Sequence, residues 1–234
     1  GAALMDLGST EEAAEAFKKV IHLNPNYADG FSNLGVILKK QDKLEDAAKA
    51  FRKAITLKPD YAEAYNNLGV TLEQSGNLNE AINLYKKSIL LKPNYAEAYN
   101  NLGNVLKSQN NLKEAINAYN KAISINPKYP EVFNNLGITF QSQGRLEEAL
   151  NSYNNAISLK PNYSSAYNNL GVILEAQGKF SEAAQAYKKA LTLKPDYAEA
   201  HRNLSNFTNY QPNNSQIGVV SDLLKLKDLN EKDK

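Results

Sequence analysis

Apolar residues return along the chain with the spacing of an amphipathic helix, and short polar stretches interrupt this spacing at regular intervals. The stretches Ala62–Gln74 and Leu78–Leu91 each place their apolar residues on one helical face, as Leu68 and Leu72 do in the first stretch and Tyr85 does in the second. A turn of three residues, 75–77, separates the two stretches. The pattern predicts a pair of antiparallel helices.

The same pair recurs with a period of 34 residues. A glycine marks the eighth position of each full repeat, and these glycines are Gly35, Gly69, Gly103, Gly137 and Gly171. A tyrosine marks the last position, and these tyrosines are Tyr61, Tyr95, Tyr129, Tyr163 and Tyr197. A fixed period of this length indicates stacked repeats, in which each repeat is buried only by its neighbours. The chain is therefore predicted to be a solenoid.

One repeat illustrates the residue pattern, with Ser88 in place of the alanine that the other full repeats carry. It carries Tyr65, Leu68, Gly69, Leu72, Ala81, Tyr85 and Pro93. This pattern resembles the signature of the tetratricopeptide repeat (TPR). The resemblance covers Gly1 to about Asn209 and implies an all-α fold, a right-handed α-solenoid (superhelix) of stacked helix-turn-helix units.

The repeat register predicts the organisation of the chain. A TPR array occupies residues 1–197, with a truncated first repeat at 1–27 and full repeats at 28–61, 62–95, 96–129, 130–163 and 164–197. Residues 198–234 are predicted to hold a partial seventh repeat, a capping helix at Gln216–Leu226 and a junction. Because Gly1 already stands at the eighth position, we expect further repeats before it and a larger parent protein.

Composition narrows the possible partners. The 27 basic and 25 acidic residues are mixed along the chain and leave a net charge of +2, so neither nucleic acid nor an anionic membrane is an expected partner. There is no cysteine, no apolar run of transmembrane length and no signal sequence. These observations favour a soluble, cytoplasmic protein.

The candidate binding residues are asparagines at the sixth position of every repeat. They are Asn33, Asn67, Asn101, Asn135, Asn169 and Asn203. The TPR resemblance implies that the first helices line a concave groove, so these amides would form a ladder along it. An asparagine amide can bond both the N–H and the C=O of one extended peptide residue. The fifth-position asparagines are expected to flank the ladder, and they are Asn66, Asn100, Asn134 and Asn168.

A simpler interpretation is that copied repeats share asparagine for no present reason. Against it, asparagine costs up to ~0.7 kcal/mol relative to alanine inside a helix. The twelfth position has also diverged, as Lys39, Glu73 and Gln141 show.

Other polar and aromatic residues are expected to be structural. Thirteen of the fourteen tyrosines fall at positions four, twenty-four or thirty-four, where we expect them to pack in the core. His22 and His201 lack partners at metal-ligand spacing, so no metal, cofactor or catalytic site is predicted. A clamp for a peptide carboxylate is disfavoured because fifth positions hold Ser or Asn until Arg202.

Two further resemblances leave the function open. The asparagine ladder and the Asn-Asn-Leu-Gly helices are similar to the superhelix of O-linked N-acetylglucosamine transferase. The last ~35 residues are similar to the junction in bacterial proteins that join TPRs to a sulfotransferase domain. The hypotheses are a protein-interaction scaffold, or the substrate-presenting arm of a sulfotransferase or of a glycosyltransferase. Self-association through the exposed first half-repeat is a further possibility.

Overall fold

The computed structural model describes residues 10–205, and within this range the regular structure consists of twelve α-helices. They are α1 Thr10–Leu23, α2 Ala28–Lys40, α3 Leu44–Leu57, α4 Ala62–Gln74, α5 Leu78–Leu91, α6 Ala96–Ser108, α7 Leu112–Ile125, α8 Pro130–Ser142, α9 Leu146–Leu159, α10 Ser164–Ala176, α11 Phe180–Leu193 and α12 Ala198–Ser205. The helix bounds predicted for the repeat at 62–95 are confirmed, as is the all-α solenoid class.

The chain divides into two compact units between Pro127 and Lys128. In each unit the two helices of a repeat pack against each other, and the second helix also packs against the first helix of the next repeat. We call α2, α4, α6, α8, α10 and α12 the first helices and α3, α5, α7, α9 and α11 the second helices.

A residue in the left-handed conformation follows each of the first helices α2, α4, α6, α8 and α10. Gly76, Gly144 and Gly178 have φ of 79°, 72° and 74°, while Asp42 and Asn110 reach 59° and 62°. Glycine adopts this conformation without a steric cost, and Asp and Asn tolerate it. Backbone N–H groups just after the turn then bond back to the last helical carbonyls.

An aromatic ring from each second helix fills the centre of its repeat. Tyr85, Tyr119 and the equivalent rings at position twenty-four are fully buried. A Cβ placed on Gly103 would lie 2.5 Å from Cε1 of Tyr119, and one on Gly69 would lie 2.7 Å from Cε1 of Tyr85. The eighth position is therefore glycine because a ring lies against it.

The prediction that the other tyrosines are core residues is wrong. Position-thirty-four rings are only half-buried, or exposed in the case of Tyr27 at 38%. Their outer faces are covered by cations instead, since the Nζ of Lys92 lies 4.7 Å from the ring centre of Tyr95. The same contact joins Lys58 to Tyr61, Lys160 to Tyr163 and Lys194 to Tyr197. Position-four tyrosines are half-buried as well.

Some expectations fall outside the described residues. These are the helix at Gln216–Leu226 and the sulfotransferase-like junction, together with residues 1–9 of the first half-repeat. The domain bounds and self-association remain predictions.

Candidate functional site: the open face of the first helices

Each first helix keeps one stripe of residues accessible after the second helices have packed. In α6 this stripe is Glu97, Asn101, Asn104 and Ser108, which are half-buried or exposed, whereas Leu102 on the opposite side is buried. Steps of four, three and four residues place these side chains on one helical face. We call positions two, six, nine and thirteen of a first helix its open stripe.

The six candidate asparagines all lie on open stripes and are all half-buried. The first compact unit holds Asn33, Asn67 and Asn101, and the second holds Asn135, Asn169 and Asn203. Their amides are thus accessible from solvent within each unit.

The fifth-position asparagines lie beneath the open stripes. Asn66 and Asn168 are 0% exposed, and Asn100 and Asn134 are 7% and 6% exposed. Sequence analysis placed these four amides beside the ladder. Buried amides normally pair with other polar groups. Asn66 and Asn134 do so with the neighbouring repeat, and Asn168 does so through its oxygen, whereas Nδ2 of Asn168 has no hydrogen-bond partner among the described residues.

The two asparagine columns are joined across repeats. Nδ2 of Asn101 donates to Oδ1 of Asn66 at 3.0 Å. The same bond links Asn169 to Asn134 at 3.0 Å and Asn203 to Asn168 at 3.1 Å. Each sixth-position amide in these pairs is held in one orientation by the repeat before it. This pairing was not predicted from the sequence.

Asn66 also bonds forward into the next repeat. Its Nδ2 lies 3.4 Å from the Tyr95 hydroxyl and 3.2 Å from Oε1 of Glu97. The buried amide therefore accepts from Asn101 and donates to Glu97, both in the next repeat, and also lies near the hydroxyl of Tyr95 at the end of its own repeat, so it connects α4 to α6.

Asn67 makes a useful contrast with Asn101. The fifth position of the repeat before it holds Ser32, and within residues 10–205 the Asn67 amide makes no side-chain hydrogen bond. Its amide is accessible but is not tied to a neighbouring repeat.

The ninth position adds an apolar row beside the amides. Val36, Val70, Ile138 and Val172 are half-buried there, and Asn104 takes this place in the repeat at 96–129. An open stripe thus pairs an amide with an aliphatic side chain in most repeats, so it can bond a peptide backbone and contact an apolar side chain together.

Hydroxyls from the buried tyrosines reach the edge of the open stripes. The Tyr85 hydroxyl donates to Oε2 of Glu73 at 2.6 Å, and position twelve accepts in the same way at Gln141 and Glu175. Where position twelve is a lysine it cannot accept. The Tyr119 hydroxyl, beside Lys107, donates instead to Oδ1 of Asn104 at 2.8 Å.

The repeat with Lys39 at position twelve has no such hydroxyl, because Phe51 replaces the tyrosine. Burial raises the pKa of Tyr85 far above its ordinary value, and the Glu73 carboxylate, which accepts a hydrogen bond from the hydroxyl, raises it further. The hydroxyl thus stays a hydrogen-bond donor. A lysine at position twelve is thus accompanied either by an acceptor at position nine, as with Asn104, or by a ring without a hydroxyl at position twenty-four, as with Phe51.

Ion pairs join the two ends of a repeat. Nζ of Lys92 lies 2.6 Å from Oε1 of Glu63, and Nζ of Lys160 lies 2.8 Å from Oε1 of Glu131. The hydrogen bond from Lys92 lowers the pKa of the Glu63 carboxyl. Glu63 and Glu131 are therefore partly neutralised by the lysines at position thirty-one of their own repeats.

The histidines take structural or solvent positions. His22 is exposed, and His201 is buried with Nε2 2.8 Å from the carbonyl oxygen of Pro195, so that nitrogen is the donor. Among the described residues no three His, Asp, Glu or Cys side chains form a cluster suited to a metal ion. No helix in residues 10–205 has the length and apolar character needed to cross a lipid bilayer.

Solved structures resemble the chain over most of its length. A crystal structure of MamA is 31% identical, covers 71% of this chain and 97% of its own, and has a TM-score of 0.64. YrrB, described as a TPR protein with an unusual peptide-binding site, is 26% identical over 81% of this chain and 98% of its own, with a TM-score of 0.64. PilF of Pseudomonas aeruginosa, at 23% identity, 86% and 91% coverage and a TM-score of 0.72, shows the fold alone.

Family comparison covers the array itself, whereas no curated protein matches the chain. The TPR repeat family matches residues 1–42, 37–76, 73–109, 103–144 and 139–178. A second description of the same repeat, the tetratricopeptide repeat, matches residues 164–197. The residues matched span 1–197, and the chain therefore belongs to the tetratricopeptide repeat family.

Proposed function

We propose that the chain is a protein-interaction module that binds an extended peptide segment along the open stripes of its first helices. The observation that carries the proposal is the row of accessible sixth-position amides, several of which are oriented by a buried amide of the preceding repeat. In this family the first helices line the concave side, which would make the row a ladder in a groove.

The hydrogen-bonding capacity that remains on each amide fits a peptide backbone. The amide of Asn169 donates one N–H to Asn134, and its second N–H and its oxygen remain able to bond a ligand. One donor and one acceptor side by side match the C=O and N–H of one extended residue. Because the orienting bond already fixes the side chain, little rotamer entropy is lost when a ligand binds.

The comparisons support an interaction role. YrrB is described as having a peptide-binding site and aligns over 81% of this chain, and MamA aligns over 71%. A backbone-reading surface with aliphatic neighbours such as Val70 and Val172 fits peptides better than it fits a small charged metabolite. The arm of a sulfotransferase or of a glycosyltransferase remains a narrower hypothesis for the same surface.

The competing interpretation is that the asparagine pairs only hold successive repeats together. Asn101 cannot separate the two interpretations, because its replacement removes both a repeat-to-repeat bond and an accessible amide. Asn67 can, because its amide is accessible and makes no bond to the repeat before it.

The test is peptide binding by the full chain and its variants. Peptides selected from a displayed library of random dodecapeptides would be measured by fluorescence anisotropy against the wild type, Asn67→Ala and Asn83→Ala. Asn83 is an exposed residue of the second helix α5 and provides a matched control. Loss of two backbone hydrogen bonds, at ~0.5–1.5 kcal/mol each, predicts about tenfold weaker binding for Asn67→Ala.

Stability must be measured beside affinity. We expect Asn67→Ala to unfold at the same or a higher urea concentration than the wild type, because alanine is favoured in a helix by up to ~0.7 kcal/mol. Asn101→Ala should lose both stability and affinity. Equal peptide affinity of Asn67→Ala and the wild type would reject the groove role and leave the asparagines a purely structural one.

A further inference from the structure

Position twelve is a lysine in two repeats and glutamate or glutamine in the other three full repeats. Lys39 on α2 and Lys107 on α6 are half-buried, and within residues 10–205 neither ammonium group has a carboxylate at salt-bridge distance. Burial lowers the pKa of both lysines. By contrast, Glu73 and Glu175 at this position each accept a tyrosine hydroxyl.

A half-buried cation without a counter-ion is unfavourable, because water is partly removed and no partner replaces it. Unpaired cations at an accessible surface are thus candidates for binding an anion that arrives with a ligand. The positively charged members of this row occur only in the first compact unit. The second unit has Gln141 and Glu175 in the same places.

Lys107 lies beside the proposed peptide site. It follows Asn104 by one helical turn on α6, and Asn101 precedes Asn104 by another. The Tyr119 hydroxyl donates to Oδ1 of Asn104, so Asn104 is a polar side chain at this place. Asn101, Asn104 and Lys107 are therefore polar side chains spaced three residues apart on α6, and the ammonium group of Lys107 is the cation among them.

Two carboxylates are placed to compete for these lysines, Glu73 at position twelve of the intervening repeat and Glu97 on α6. The Glu97 carboxylate acts electrostatically on Lys39, which lies two repeats earlier, so the two residues share one surface of the first compact unit. Its Oε1 accepts from Nδ2 of Asn66 at 3.2 Å. Position thirty-one of its own repeat is Asn126, where the repeats with Glu63 and Glu131 have Lys92 and Lys160.

We infer that the open surface of the first compact unit prefers peptides that carry acidic side chains, with Lys107 and Lys39 as two separate cations, each able to pair with one carboxylate. The inference rests on the proposed peptide-binding function and adds a ligand class to it. Position nine holds valine or isoleucine in the other full repeats, whereas Asn104 holds it in the repeat of Lys107. A polar side chain therefore replaces an apolar one where the ligand carboxylate would lie.

The experiment uses a random octapeptide library that is N-acetylated and C-terminally amidated, selected on the full chain. We expect Asp and Glu to be enriched among the bound peptides. Replacing the enriched Glu by Gln in one such peptide should weaken binding about fivefold, the effect of one partly exposed ion pair. This Glu-to-Gln ratio should fall to about one in the Lys39→Gln/Lys107→Gln variant.

Two charge variants provide the controls. Lys86→Gln removes the same charge from an exposed position on the second helix α5 and should leave the ratio at about five. Glu97→Gln removes one competing carboxylate and should raise the ratio. If only net charge matters, Lys86→Gln should lower the Glu-to-Gln ratio as much as the lysine substitutions at position twelve do. That result would overturn the inference.

The remaining outcomes separate this inference from the proposed function. Peptides that bind without acidic preference, or whose preference survives in the double lysine variant, overturn the inference and leave the peptide-binding function standing. No enriched peptide at all overturns both. If a library with free carboxyl ends binds and the amidated library does not, the surface recognises a chain terminus and not an acidic side chain.

Discussion

Substitution of Gly103 by alanine tests how tightly the aromatic ring of a second helix fills its repeat. A Cβ at this position would lie 2.5, 2.7 and 2.9 Å from three ring carbons of Tyr119. Carbon atoms in favourable contact are about 3.5–4.0 Å apart, so the new methyl would overlap the ring by about 1 Å. The ring is 0% exposed and its hydroxyl donates to Asn104, so it has no free direction in which to move.

The expected cost follows from three terms. Overpacking of a core costs ~1–3 kcal/mol, and displacing the Tyr119 hydroxyl from Asn104 adds ~1 kcal/mol. Alanine returns ~1 kcal/mol through its higher helix propensity. We therefore expect the free energy of unfolding to fall by ~1–3 kcal/mol.

Urea unfolding followed by circular dichroism measures this change, and hydrogen exchange should show the weakened amides in α6 and α7. The double variant Gly103→Ala/Tyr119→Leu should cost less than the sum of the two single changes, because the smaller side chain makes room for the methyl. Gly76→Ala is the contrasting control, since no atom lies within 4 Å of its Cβ and only its φ of 79° opposes alanine. A Gly103→Ala protein as stable as the wild type would refute the packing argument.

Two further predictions concern the polar groups that border the open stripes. Tyr85→Phe removes the hydrogen bond to Glu73 and should lower the free energy of unfolding by ~1 kcal/mol, which urea titration would show; no change would mean that water replaces the hydroxyl fully. Lys92 lowers the pKa of Glu63 below its ordinary 4.5, so this ion pair stabilises the protein fully above that pH and the contribution is lost as the pH falls through the lower folded-state pKa. Unfolding between pH 3 and 6 should therefore be slightly less pH-dependent in Glu63→Gln, and identical profiles would contradict the assignment.

The helix bounds can be predicted well from the sequence because the same boundary residues recur in each repeat. The stretches Ala62–Gln74 and Leu78–Leu91 end where Gly76 turns the chain and where Pro93 follows the last helical residues. These signals are local, so they can be read without knowing how repeats meet.

The fifth-position asparagines could not be understood in this way. Asn66 and Asn101 are 35 residues apart in sequence, and their bond depends on the stacking of two repeats. An amide that is 0% exposed looks the same in sequence as an amide in a groove. The signal that was available is indirect: Ser32 takes this position in the repeat at 28–61, so the column is not uniform.

The residues at positions nine, twelve and twenty-four vary together in the sequence, but sequence analysis did not predict that they are in contact. Where Lys107 cannot accept a hydrogen bond, Asn104 supplies the acceptor for Tyr119. Where Lys39 cannot accept, Phe51 lacks a hydroxyl. The structure shows why these three positions are related: the position-twenty-four ring lies against the glycine of the first helix, and its hydroxyl reaches position twelve or position nine.

The bonds between asparagine columns bear on how such a chain changes its length. Asn169 bonds Asn134, and Asn203 bonds Asn168, through the same atoms and over the same 35-residue step. A duplication of one whole repeat would reproduce both halves of this contact, whereas an insertion of any other length would separate them. Recombination between repeats can therefore lengthen or shorten the array by whole units, and each new junction between repeats that carry both asparagines is already complementary.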